Sequence, residues 1–131
     1  MNAIDTIRPI VDEGDLLTVA EVYLDDDLDG QCVGMFLAFS DRKFFVHAEG
    51  ADDTIRISST LPVALSDESI RRVPMPAEWA SAIGQPILWA WAMANTQGRV
   101  DGIQIEFGTI DHPSITLQMV VRASTLVLRT L

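Results

Sequence analysis

Residues 85–95 read Gln85-Pro-Ile-Leu-Trp-Ala-Trp-Ala-Met-Ala-Asn95, and whether they form a helix or a strand decides the fold. The alanines favour a helix on intrinsic propensity. Parity favours a strand: Ile87, Trp89, Trp91 and Met93 fall on one side and Leu88, Ala90, Ala92 and Ala94 on the other, a bulky face and a small one. The following residues decide. Asn95-Thr-Gln-Gly-Arg-Val-Asp-Gly102 reads as a turn, and Ile103-Gln-Ile-Glu-Phe107 alternates cleanly behind it, so the segment is a strand entering a hairpin.

Ser114 to Arg122 and Thr125 to Leu131 supply two further strands around Ala123-Ser124. Working back, Leu17, Val19 and Val22 mark a first strand, Asp25 to Gly30 a turn, and Cys32 to Phe39 a second, mostly buried strand. Lys43-Phe-Phe-Val-His-Ala-Glu49 and Thr54-Ile-Arg-Ile-Ser58 follow after short breaks, completing an antiparallel meander. Residues 60–76 lose this rhythm; Pro62, Pro74 and Pro76 indicate irregular chain, with room for one helical turn over Ser66–Arg72. Pro76-Ala-Glu-Trp-Ala-Ser-Ala-Ile-Gly84 is the best helix, with proline at its start and glycine placed to stop it. The expected fold is α+β: one domain over residues 1–131, a twisted antiparallel sheet of about seven or eight strands with that main helix packed on it.

A chain of 131 residues, 48% hydrophobic and 21% charged, buries enough surface to fold without staples. The lone Cys32 cannot form an internal disulfide, and its apolar run suits a small buried hydrophobe. The first residues lack a basic segment followed by an apolar one, and no apolar run reaches the ~18 residues that cross a bilayer. The expected address is cytoplasmic, with no membrane partner.

The formal net charge of −10 resides in the first 53 residues, where thirteen acids face only Arg8, Arg42 and Lys43; the remainder is neutral. Such a field repels polyanions, so nucleic acid is not an expected partner, and it steers cationic ones. Asp25, Asp27, Asp29 and Gly30 match the opening of a calcium loop, but Phe36 stands where the bidentate glutamate belongs and the flanks read as strands. No metal or other cofactor is expected. The nucleophile elbow, phosphate loop, dinucleotide fingerprint and paired-cysteine motifs are absent, and His47 and His112 stand far apart, so no catalytic residue is assigned.

Trp79, Trp89, Trp91 and Phe107 are expected in the core. If the small parity of residues 87–94 faces inward instead, Trp89 and Trp91 form an exposed patch of the kind that marks an interface. Asn95, Gln97 and Asp101 form the densest polar motif; turn chemistry explains Asn95 better than Gln97 or Asp101. The pattern Trp89-x-Trp91-x(3)-Asn95-x-Gln97-Gly98-x-x-Asp101-Gly102, followed by the Ile103–Phe107 strand, resembles a group of small acidic bacterial domains of unknown function with an N-x-Q-G-Y-x-D-like hairpin. It is similar in style to immunity proteins of bacterial toxin systems; Arg99 replaces the aromatic. The resemblance implies a small binding protein.

The expected function is a non-enzymatic protein that neutralises a basic partner protein, such as a toxin nuclease. Asp25, Asp26, Asp27 and Asp29 would steer, joined by Asp52 and Asp53, with Trp89, Trp91, Asn95, Gln97 and Asp101 as a polar or interface site. One alternative is a small-molecule pocket or cryptic active site lined by Trp79, Trp89, Gln97 and Asp101. Another is a self-association module, a homodimer paired through the edge strand Thr125–Leu131.

Overall fold

Alternating apolar side chains build nine strands: β1 (Leu17–Asp25), β2 (Gln31–Phe39), β3 (Lys43–Glu49), β4 (Thr54–Ser58), β5 (Ile70–Pro74), β6 (Ile87–Ala94), β7 (Val100–Gly108), β8 (Pro113–Arg122) and β9 (Thr125–Thr130). The coordinates are a computed structural model, and it describes residues 3–131. The strands form two antiparallel sheets, one of five in the order β4-β3-β2-β1-β5 and one of four in the order β6-β7-β8-β9. Their inner faces share one core: Leu17, Val22, Leu37 and Val46 from the first sheet meet Ile103, Ile105, Leu117 and Met119 from the second. Leu16 and Pro86 form an isolated antiparallel bridge that ties the segment before β1 to the segment before β6.

The protein is thus mostly β, which corrects the expectation of an α+β domain with a helix laid on a single sheet of seven or eight strands. Two sheets form because both carry an apolar inner face, and each is the natural cover for the other. The expected main helix at Pro76–Gly84 is only a six-residue 3-10 helix, Ala77–Ala82, too short to cover a sheet. Among the described residues the one α-helix is α1 (Ala3–Glu13), which the sequence reading did not assign. Its Ile7 and Ile10 are buried in the common core, and it packs against β6 and β4. Its end is closed by Gly14 N–H on the Val11 carbonyl and Asp15 N–H on that of Ile10. Pro9 inside α1 argues against a helix locally, since it removes a donor; burial of the two isoleucines outweighs that cost.

The expected helical turn over Ser66–Arg72 is also absent. A 3-10 turn lies earlier, at Val63–Leu65, and Ile70–Pro74 pairs with β1 as the edge strand β5. Leu65 seats with Tyr23, Val33 and Phe45 in a second small cluster on the outer face of the five-stranded sheet. This covering segment explains why that sheet is apolar on both faces and reads poorly as a two-sided pattern.

Candidate functional site

Strand direction gathers the acids. β1 runs toward Asp25 and β3 toward Glu49, while β5 starts beside Asp25, so the β1–β2 turn, the β3–β4 turn and the segment preceding β5 lie at the same end of the five-stranded sheet. The Asp26 N–H bonds the Ser69 carbonyl at 2.9 Å, joining the first and last of these directly. The β8–β9 turn belongs to the same end, because Ser124 N–H donates to Asp53 Oδ1 at 3.0 Å. Antiparallel pairing then puts the β6–β7 turn there too.

Asp25, Asp26, Asp27, Asp29, Asp52 and Asp53 therefore share one end, joined by Glu49, Asp67 and Glu68. Asp67 and Glu68 escaped the sequence reading because they sit in the half of the chain with no net charge. Their signal was the acidic pair inside an irregular stretch, and only the β1–β5 pairing reveals where it goes. The fold also cancels part of the load. Arg71 pairs with Asp26 at 3.0 Å, Arg72 with Glu21 at 3.4 Å and Arg56 with Asp52 at 3.5 Å, so bases of the neutral half neutralise acids of the charged one.

Several of these carboxylates also have local work. Asp25 accepts the Asp27 N–H at 2.9 Å and caps the turn. Asp52 accepts both the hydroxyl and the N–H of Thr54, and the hydroxyl bond above all, with the N–H bond, Arg56 and Arg99, holds its carboxyl below the usual range against the opposing effect of desolvation. Asp27 and Asp29 are left at the tip; Asp29 adopts a left-handed φ of 57°. Among the described residues no group of three or more His, Cys, Asp or Glu side chains is placed to hold a metal ion. The calcium-like loop is flanked by β1 and β2 rather than by helices.

The second motif splits. Asn95 Oδ1 accepts the N–H groups of Gln97 and Arg99 at 2.9 and 3.2 Å, so it organises the turn. Gln97 is exposed there, and Asp101, expected in the turn, is already in β7. Trp89 and Trp91 are instead 53% and 43% exposed on the outward face of the four-stranded sheet, which corrects their expected core placement. A bulge at Leu88 resets the parity, so Ile87 is buried while Trp89 and Trp91 point out. Trp79 and Phe107 are in the core as expected. The alternative pocket does not assemble: Trp79 is 1% exposed, Trp89 faces solvent, and Gln97 lies eight residues on at the acidic end. A shallow groove of about 400 Å³ opens elsewhere, against Val19, Met75, Pro76 and Ile83.

Burial pushes the Cys32 thiol up to about 11, so it is held protonated at neutral pH and is a poor nucleophile. His47 in β3 is 8% exposed, with Nδ1 lacking a hydrogen-bond partner among the described residues. Desolvation pulls its pKa below 6.5, Arg56 pulls the same way, and Glu49 opposes both. The unfolded chain therefore binds the extra proton first as pH falls. Stability should be level with respect to this group above about pH 6.5 and decline below it. Urea midpoints at pH 7.5, 6.5 and 5.5 should show that slope, and His47→Gln should flatten it.

Fold and surface together define an acidic, mostly β protein of two antiparallel sheets, with one carboxylate-rich end and one open sheet face. The chain belongs to a family of unknown function (DUF6334), matched over residues 2–131. Neither the curated proteins nor the solved structures contain a match to it. No helix among the described residues is long and apolar enough to cross a membrane.

Proposed function

We propose that the protein is a non-enzymatic binding module whose carboxylate-rich end captures a cationic surface of another protein, in the manner of an immunity protein neutralising a basic toxin. The observation that carries this reading is the convergence of the β1–β2 turn, the β3–β4 turn and the Asp67–Glu68 segment at one end. Carboxylates pooled there produce a directional field, which raises the encounter rate with a basic partner. Asp27, Asp29 and Glu68 are the best placed for this, because among the described residues neither an arginine nor a backbone group pairs with their carboxylates.

The test is affinity capture with the intact protein and with a variant carrying Asp25→Asn, Asp27→Asn, Asp29→Asn, Asp67→Asn and Glu68→Gln, followed by association kinetics with whatever is retained. The captured protein should be basic. Its association rate should fall about tenfold or more for the variant, and likewise for the wild type between about 50 and about 500 mM salt. A partner that binds both proteins equally fast at either salt concentration rules out this end as the recognition surface.

A further inference from the structure

The outward face of β6–β9 has a composition unlike the rest of the molecule. Its registers align Trp91 with Gln104, Gln118 and Arg129 in one row across all four strands. The next row holds Met93, Gly102, Val120 and Val127. Directly paired residues on neighbouring strands share a face, and the contacts agree: Gln118 Nε2 donates to Gln104 Oε1 at 3.4 Å and approaches Met93 Sδ at 3.8 Å. Gly102 leaves room for this contact, since a Cβ at that position would meet Met93 Cε at 2.6 Å and the Met119 carbonyl at 3.1 Å. The methionine thus lies flat along the sheet and keeps the surface level.

In a chain with a formal net charge of −10, this face carries one acid, Glu106 beside Trp89, and two exposed bases, Arg129 on the opposite edge and Arg122 at the end of β8. Among the described residues Arg129 has no ion-pair partner, and Thr116 hydroxyl donates to Glu106 at 3.4 Å. A large face with almost no acid, with its tryptophans on one edge and a cation on the other, is complementary to itself.

We propose that this face is a homodimer interface, with two copies stacking sheet to sheet about a two-fold axis that runs along the strands. That operation lays β6 of each copy over β9 of the other. Arg129 then sits over the Trp91 ring of the second copy, a cation–π pair formed twice. Met93 meets Val127, and the Gln104 and Gln118 amides meet each other. Strand spacing of about 4.8 Å and outward positions about 6.6 Å apart over four rows give a face of roughly 500 Å² per copy, or about 1,000 Å² in all. That only just reaches the ~1,000 Å² expected of a specific contact and falls short of a standard interface, so the dimer should be weak, with Kd on the order of 10–100 μM. The inference is independent of the acidic end, which the contact leaves uncovered.

Sedimentation velocity on the full chain from about 1 to about 500 μM tests it, with Trp91→Ala and Arg129→Glu as interface variants and Ile110→Ser, an exposed position on the β7–β8 turn, as control. Expected are a concentration-dependent dimer, a Kd raised about tenfold or more by each interface variant, and no change with the control. Both substituted residues are substantially solvent-exposed in the single chain, and far-UV circular dichroism verifies that the variants fold. A monomer throughout the range overturns the proposal. So does a dimer indifferent to Trp91→Ala and Arg129→Glu, which would place the contact elsewhere, for instance along the β9 edge.

Discussion

Trp79→Ala should lower the stability of the folded chain by about 3–5 kcal/mol, because the substitution empties the site of a fully buried indole. Trp79 is 1% exposed and heads the set of largest buried side chains in the common core. It is carried inward by the 3-10 helix Ala77–Ala82, whose Trp79 N–H bonds the Pro76 carbonyl at 3.0 Å and which packs against β8. That short helix has little stability of its own, so the ring fastens the segment as much as the segment positions the ring. A domain of this kind is stable by only about 5–15 kcal/mol, so the loss is a large fraction of the whole. Urea denaturation should show a midpoint lower by about 1.5–3 M for Trp79→Ala at unchanged slope, and a much smaller shift for Trp79→Phe, which retains most of the aromatic area. A loss under about 1 kcal/mol would mean that the surroundings collapse into the vacated space.

Trp79 also illustrates which structural signals were legible. The sequence placed it in the core and on a helix, and the first half of that reading is right. Strands β1 to β4 and β6 to β9 were readable because each alternates or forms a short apolar run between turn residues, a signal local to a few residues. The separation into two sheets was not readable. It depends on which face of each strand is covered by a partner distant in sequence, and alternation cannot distinguish one large sheet from two stacked ones. Strand β5 was hidden by Arg71 and Arg72 and by the prolines around it. As an edge strand with exposed arginines it has almost no apolar signature. Helix α1 was hidden by Pro9, and tertiary burial of Ile7 and Ile10 overrode the local penalty.

For the candidate site the lesson is different. Net charge along the chain located the acidic turn correctly, yet it misjudged the balance in both directions. Arg56, Arg71 and Arg72 came from the neutral half to pair with Asp52, Asp26 and Glu21, while Asp67 and Glu68 came from the same half to extend the acidic end. Charge is summed in space, and a linear count assigns each residue to the wrong neighbours whenever a crossover intervenes. The exposed tryptophans show the same limitation at shorter range. Parity along residues 87–94 is continuous in the sequence, but the bulge at Leu88 breaks it, and one inserted residue reverses which side chains face the solvent.

A substitution at the opposite end of the molecule separates folding from recognition. Gly108→Ala should cost about 3–5 kcal/mol, whereas Gly98→Ala should cost about 1–2 kcal/mol, although both glycines have positive φ and both lie in or beside hairpin turns. At Gly98, with φ of 77°, an added Cβ meets nothing within 4 Å, so only the left-handed backbone penalty applies. At Gly108, with φ of 120°, the same atom would fall 2.6 Å from Ser114 N, 2.7 Å from the His112 carbonyl and 2.9 Å from Pro113 Cα. These are backbone atoms of the β7–β8 turn and the start of β8, and no side-chain rotation relieves them. The β7–β8 hairpin must open instead, and the Gly108 N–H bond to the Pro86 carbonyl, 2.9 Å long, opens with it. Hydrogen exchange should therefore accelerate around residues 107–115 in Gly108→Ala and stay local to the β6–β7 turn in Gly98→Ala. The acidic end is remote from Gly108, so the fraction of Gly108→Ala that remains folded should bind a cationic partner at the wild-type rate. Gly98→Ala lies beside the acidic end but leaves its carboxylates in place, so a slower association there would implicate the shape of the β6–β7 turn as well as its charge.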